Sequence, residues 1–491
     1  MPFWHGWLAH LHETNGNSYD MMKKTGRLRQ KVEELDMEQF DVLIIGGGPG
    51  GYLCAERAAQ NGLTAAVVEK RALGGTCLNE GCVPTKSLLY CAKQYAAAQH
   101  GADYGVHCEN VRYDHAAVIE RKNQVVKTLV SGVGYTMKSH KVKVYSGEAA
   151  GLRKVAHGFE TMVNGEAVSG KHLVIATGSV AAVPPIPGVQ EGLANGFVMT
   201  NREILELKTL PKTLVCIGGG VIGLEMACYF ATVGVKVIVI EMMPKIAGNT
   251  DPEICNILMK TYAKLGMEFK LSAGVKAIGA DSVTYEDAAG VHTVACDRVL
   301  LAAGRRANCG GLPLDELGIH TERGAIVTDE HLRTNVHGVY AIGDCNGKLM
   351  LAHTAYREAE VAVNHMLGKK DRIDYNVIPS VIYTTPEVAC VGETEQSAKE
   401  KGMNVKVVKA SMMMSGRYVA ENRTGDGFCK IVYDLDRRCV AGVQIVGSYA
   451  SEMIYGAAMM VYSKSPVQHL DKIVFPHPSV CETIREALFM I

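Results

Sequence analysis

The segment Phe40-Asp41-Val42-Leu43-Ile44-Ile45-Gly46-Gly47-Gly48-Pro49-Gly50-Gly51 decides the fold. A short apolar run with strand character ends in a glycine-rich turn. A helical stretch to about Asn61 follows, then a second strand from Thr64 to Val68 that ends at Glu69. Far downstream the order recurs. Thr213 to Ile217 leads into Gly218-Gly219-Gly220-Val221-Ile222-Gly223, and the next helix and strand end at Glu241. Strand, glycine turn, helix, strand and terminal acid form a unit that binds a dinucleotide.

Each residue type has a physical reason. Gly46 and Gly218 permit the tight turn, while Gly48 and Gly220 let a pyrophosphate approach the backbone. Gly51 and Gly223 let helix and strand pack closely, with the helix amino terminus facing the phosphates. Glu69 and Glu241 stand where an acid hydrogen-bonds a ribose 2′-hydroxyl. No arginine directly follows Glu241, so the second unit is expected to take NAD rather than NADP. Two full copies predict two bound dinucleotides.

The first unit runs into Gly74-Gly75-Thr76-Cys77-Leu78-Asn79-Glu80-Gly81-Cys82-Val83-Pro84-Thr85-Lys86. Four residues separate the cysteines, a spacing that allows a disulfide across a helix's first turn. Gly81 and Pro84 restrict the backbone, and Lys86 adds a cation nearby. A thiolate near a helix amino terminus and a cation is reactive. No second Cys or His pair at metal spacing accompanies it, so no metal site is expected.

Composition limits the alternatives. At 491 residues the chain is long enough for about three domains. Lys plus Arg equals Asp plus Glu at 51 each, so no global field favours nucleic acid or an anionic membrane. No apolar run approaches the roughly 18 residues of a membrane helix. Fifteen scattered cysteines in a long chain suit a reducing cytoplasm better than a secreted disulfide scaffold. Residues 1–36 hold both tryptophans, Trp4 and Trp7, and lack the apolar core of a signal peptide. They read as a poorly ordered appendage, or as a start codon placed upstream of Met37.

The Cys77–Lys86 segment, both glycine units, the Ala-Thr-Gly of residues 176–178 and Ala341-Ile342-Gly343-Asp344 together resemble the pyridine nucleotide–disulfide oxidoreductases. The resemblance runs from about Phe40 to Glu486. It implies an α/β fold with two Rossmann-like dinucleotide-binding domains, one for FAD and an inserted one for NAD, and a carboxyl-terminal α+β dimerisation domain. Within the family, Cys-Leu-Asn-x-Gly-Cys-x-Pro-Thr-Lys most resembles the branch that oxidises protein-bound dihydrolipoamide. Glutathione reductases typically have Lys where Thr85 stands, and mercuric reductases usually carry a vicinal pair where Cys481 is alone.

The resemblance implies roles. Cys82 would face the flavin as the charge-transfer thiolate and Cys77 would meet the substrate dithiol, with Lys86 and Glu225 paired beside the flavin ring. Asp344 would bond the ribityl chain, and Ala352 with His353 would close over the isoalloxazine. Lys70, Gly75, Thr76, Gly147, Thr177, Gly178, Val275 and Gly304 complete the expected cofactor contacts, with Gly304-Arg305 returning the chain to the flavin domain. His477, between Pro476 and Pro478, matches the His-Pro-x-x-x-Glu pattern with Glu482. A base is needed because a dithiol attacks as its thiolate, and a thiol pKa of about 8.5 leaves little ionised at neutral pH. In this family the pair reaches the disulfide of the other subunit, so a homodimer is expected.

The expected borders are residues 37–151 for the first part of the FAD domain, 152–280 for the NAD domain, 281–350 for the return and 351–491 for dimerisation. A lipoyl-bearing carrier protein of a 2-oxoacid dehydrogenase or glycine-cleavage system is the expected partner. Two other readings stay open: a related NAD(P)H-dependent reductase of a disulfide or metal ion, and a non-catalytic nucleotide-binding subunit. Met412-Met413-Met414 is expected to be interior packing, and His320, His331 and His337 to be surface residues.

Overall fold

A computed structural model describes residues 39–491, so the expected appendage at 1–36 lies outside the described residues. Strand β1 (Gln39–Ile45) leads through the glycine turn into helix α1 (Pro49–Gln60) and strand β2 (Ala65–Glu69). β1 pairs in parallel with β2 on one side and with Glu166–Ile175 on the other. Val42, Leu43 and Ile44 are fully buried, as a parallel strand covered on both faces requires. Each such side chain contributes about 1.5–3 kcal/mol of burial. The sheet continues through Gly158–Val163 and Ala150–Val155, and Val339–Ala341 joins beside Glu166–Ile175.

Helix α2 (Gly75–Glu80) carries Cys77 and helix α3 (Cys82–Gln99) starts at Cys82, with Gly81 alone between them. The second unit repeats the plan with strand β3 (Thr213–Ile217), helix α4 (Val221–Thr232) and strand β4 (Lys236–Ile240). Its five-stranded sheet runs Glu268–Lys270, β4, β3, Arg298–Leu301, Val198–Met199, with every pair parallel. Ser179–Ala181 and Arg305–Ala307 form an antiparallel ribbon where the chain leaves and re-enters the first unit. The return at Gly304-Arg305 falls there.

The expected borders shift. Residues 152–175 belong to the first sheet, because the long strand Glu166–Ile175 pairs with β1, and Arg298–Leu301 belongs to the second, because it pairs with β3. Helix α5 (Ala352–Met366) puts Ala359, Val361, Ala362 and Val363 into the first unit's core. The carboxyl-terminal part therefore begins after it. Its antiparallel five-stranded sheet runs from Ser380 to Gly447, backed by the helix Ala450–Ser463 and by α6 (Glu482–Phe489).

One apolar cluster joins Leu88 and Ala92 of α3, the buried face of α4, and Ile382, Val388 and Phe428 of the carboxyl-terminal sheet. The three parts thus pack around the helix that begins at Cys82. Among the described residues, no helix is long and apolar enough to cross a membrane.

Candidate active site

The two glycine turns are built alike. Gly46 and Gly218 both have φ +108°, a conformation that favours glycine. An added Cβ at Gly46 would strike the Ala176 carbonyl, and one at Gly51 or Gly223 would overlap the carbonyl oxygen of Gly46 or Gly218. Glu69 accepts the Gly47 and Arg71 amides at 2.7 Å each. Glu241 accepts the Gly219 amide at 2.6 Å and the Met243 amide at 2.7 Å. Both carboxylates are thereby aimed from the strand end toward the turn.

One cavity of about 2100 Å³ runs from the first turn to the second. An ordinary small-molecule pocket is roughly 300–1,000 Å³, so this one has room for extended ligands. It is lined by Gly46, Gly48, Glu69, Lys70, Gly75, Thr76, Gly147, Thr177, Gly178, Gly220, Gly304, Asp344 and Ala352, together with Cys77, Cys82, Lys86 and Glu225. Gly51, Gly218 and Gly223 stand behind the turns as packing points. Glu241 caps the second turn, and Val275 packs at the edge of the second unit's core, two residues beyond the Ala273 amide that bonds the Glu241 carbonyl. His353 also lines the cavity and bonds the Pro379 carbonyl at 2.6 Å.

The thiols of Cys77 and Cys82 are hydrogen-bonded to each other. That bond, assisted by the Lys86 charge against the opposing effect of burial, brings the Cys82 thiol down to about 7. The Cys77 thiol, which donates the bond and is half-buried, is pushed far up. One sulfur is poised as a thiolate and the other is not. Lys86 Nζ meets both carboxylate oxygens of buried Glu225 at 2.9 and 3.0 Å and sits 4.3 Å from the centroid of the Tyr383 ring. The Tyr383 amide donates to Glu225 Oε1 at 3.0 Å, so the carboxyl-terminal part fixes this pair. Asp344 accepts from the Ser179 hydroxyl, which in turn accepts from Arg305 Nε at 2.7 Å.

Buried Thr177 Oγ1 has no partner at the cavity wall. With the glycine cradles and strand-end acids, it fits the site to a dinucleotide carrying ribose and phosphate groups. Tyr383 and Ser179 had no sequence signal, and the role of Arg305 on Ser179 had none either, since these partners lie more than a hundred residues apart. The methionine run differs from expectation. Met412 is buried, whereas Met413 and Met414 are exposed, because a single turn of helix turns them outward at the end of an edge strand.

His477 and Glu482 come together at the start of α6. His477 Nδ1 lies 2.9 Å from Glu482 Oε1, and the Ser479 amide donates to Oε2 at 2.9 Å. That amide, then His477, holds the Glu482 carboxyl below its usual range. The His477 side chain is 78% exposed and is not among the residues lining the cavity of its own chain. On the same part, Tyr455, Met459 and Tyr462 expose one apolar helix face, at 72%, 56% and 72%. Exposed apolar patches of this kind mark interaction surfaces. Among the described residues, no cluster of His, Cys, Asp and Glu could hold a metal ion. His320 and His337 are exposed, while His331 is half-buried and bonds the Asp371 carbonyl at 2.7 Å.

Two nucleotide cradles joined by a dithiol define a class, and the chain belongs to it. Residues 40–359 match the pyridine nucleotide-disulphide oxidoreductase model and 378–488 match that family's dimerisation domain, so the chain is a member of that family. It is an oxidoreductase that takes FAD and NAD, and its dimerisation domain supports a homodimer. It is 37% identical to the dihydrolipoyl dehydrogenase of Cupriavidus necator, over 92% of this chain and 98% of that one. It is also 37% identical to the mitochondrial dihydrolipoyl dehydrogenase of Pisum sativum, over 96% and 95%. Among solved structures, the HOCl-induced flavoprotein disulfide reductase of Escherichia coli matches with a TM-score of 0.80 at 28% identity, over 92% of this chain and 100% of that one.

Proposed function

We propose that the chain oxidises the dihydrolipoamide of a lipoyl-bearing carrier protein and reduces NAD⁺, with Cys77 and Cys82 as the exchanging pair. The observation that carries this reading is the asymmetric dithiol, one sulfur drawn toward thiolate, in a cavity that reaches both nucleotide cradles. The first cradle would hold FAD through Gly46, Gly48, Glu69, Thr177 and Asp344, and the second NAD through Gly218, Gly220 and Glu241.

In the proposed reaction, His477 Nε2 takes a proton from the substrate dithiol. The thiolate attacks Cys77 Sγ of the Cys77–Cys82 disulfide, forming a mixed disulfide and releasing Cys82 as a thiolate. The second substrate sulfur then closes the lipoamide ring and frees Cys77. Lys86, held by Glu225 and Tyr383, keeps a cation beside the Cys82 thiolate. Bound FAD supplies the two-electron relay from the dithiol to NAD⁺. Glu482 orients the imidazole through Nδ1 and leaves Nε2 as the base.

The exposure of His477 and its absence from its own chain's cavity wall support its service to the other subunit of a dimer. A reducing cytoplasm suits a chain whose catalytic pair must cycle through its dithiol. Steady-state assays test the proposal: dihydrolipoamide with NAD⁺ against NADH with a panel of disulfides. The first should be the faster by kcat/KM. A preference for NADH with a small disulfide would replace it with the reverse reading.

A further inference from the structure

We propose that Glu80 is a positioning residue that sets how readily the Cys77–Cys82 disulfide is reduced. This inference rests on the reading of that pair as the exchanging one.

Glu80 is the last residue of α2, between the two cysteines. Its carboxylate meets the Arg71 guanidinium at 3.0 and 2.8 Å and the Arg202 guanidinium at 2.6 and 3.1 Å. Paired guanidinium–carboxylate contacts of this kind are both strong and geometrically specific. Burial pushes the Glu80 carboxyl up, but the two arginines outweigh it and hold the group below its usual range. The backbone is tied as well. Asn201 Nδ2 donates to the Glu80 carbonyl at 2.7 Å, and Asn79 Nδ2 to the Leu73 and Gly75 carbonyls at 3.0 and 2.9 Å.

These ties fix α2 to two different parts of the molecule. Arg71 stands two residues beyond Glu69 and gives that acid its amide. Asn201 and Arg202 follow the edge strand Val198–Met199 of the second unit, and Arg305 of the crossing ribbon lies 3.4 Å from Asn201 Oδ1. The joint between α2 and α3 is a single residue, Gly81, packed against the Thr76 carbonyl. The clamp on Glu80, together with the Asn79 bonds, holds the helix that carries Cys77 beside Cys82.

A disulfide is favoured when its two thiols are held at high effective concentration. Loosening α2 lowers that concentration and favours the dithiol.

The test equilibrates the FAD-loaded enzyme with buffers of reduced and oxidised dithiothreitol, then traps thiols with N-ethylmaleimide for mass spectrometry. Each exchange breaks the Cys77–Cys82 bond, forms one S–S bond in the reagent, and moves two electrons and two protons to the cysteines. In Glu80→Gln the dithiol-to-disulfide ratio should rise about tenfold at fixed buffer, about 30 mV for a two-electron couple. Glu80→Asp keeps the charge but is too short to span both arginines, and should give a smaller rise, about threefold. It carries the test if the glutamine variant does not fold. A ratio within twofold of wild type overturns the inference even if the melting temperature falls, since a purely structural role would move stability alone. A wild-type pair that does not exchange with dithiothreitol at all would instead sink the reading of the pair.

Discussion

The two glycine turns share one backbone and differ in what closes over them. In the first, Gly48 faces Gly75, and an added Cβ would come within 3.7 Å of the Gly75 Cα. The redox segment thus lies across that cradle, and Lys70 and Arg71 beyond Glu69 are engaged by Glu148 and Glu80. In the second, Gly220 has nothing within 4 Å and Val221 is exposed. Beyond Glu241 come Met242 and Met243, both exposed. In the proposed assignment, the covered cradle would keep its cofactor through many turnovers and the open one would exchange it.

The sharpest way to break this contrast is to fill each turn. Gly51→Val drives a side chain into the Gly46 carbonyl and should yield protein without bound flavin and without activity. Gly220→Ala adds a Cβ into open space and should keep its flavin. The KM for NAD⁺ should rise by no more than about tenfold, roughly 1.4 kcal/mol. Flavin absorbance of the purified variants with NAD⁺ kinetics checks both, and equal flavin loss would contradict the contrast.

A smaller effect distinguishes the two acids. Glu241→Arg should raise the NADP⁺-to-NAD⁺ ratio of kcat/KM about tenfold, because a cation can hold a 2′-phosphate where the carboxylate repels it. Glu69→Arg should leave that ratio unchanged and weaken flavin retention instead. Identical responses would mean that the cradles are not specialised.

The smallest effect is one of pH. With the Cys82 thiol drawn down to about 7, its thiolate predominates above that pH and is lost below it. Iodoacetamide should therefore alkylate Cys82 of the reduced enzyme with a midpoint near 7, well below the roughly 8.5 of a free cysteine. A midpoint at the free value would show that Cys77 and Lys86 do not stabilise the thiolate.

What could be read from sequence was local. The turns, Cys77–Cys82 and His477–Glu482 each fall within a few residues, so residue type and spacing carry the signal. The first sheet was harder, because Glu166–Ile175 pairs with β1 only through long-range register, and its alternation looks like any strand. The border expected at 152 differs from the sheet pairing for that reason, and those at 280 and 351 because Arg298–Leu301 pairs with β3 and helix α5 packs into the first unit. Tyr383 on Lys86, Ser179 on Asp344, and the arginines on Glu80 are meetings of ordinary residues far apart in the chain, made only by folding. The outward turn of Met413 was missed on similar grounds, since three apolar residues in a row carry no direction.

In the proposed reaction Cys77 and Cys82 link substrate to nicotinamide, and one measurement tests that link directly. The measurement is anaerobic addition of one equivalent of dihydrolipoamide to the oxidised holoenzyme, followed by N-ethylmaleimide and peptide mass spectrometry, with and without NAD⁺. Without NAD⁺, both Cys77 and Cys82 should carry the label. With NAD⁺ in excess the label should vanish from both while one equivalent of NADH appears, since the disulfide re-forms as hydride leaves. Labelling at other cysteines, or NADH formed by a Cys77→Ser enzyme at an undiminished rate, would contradict it.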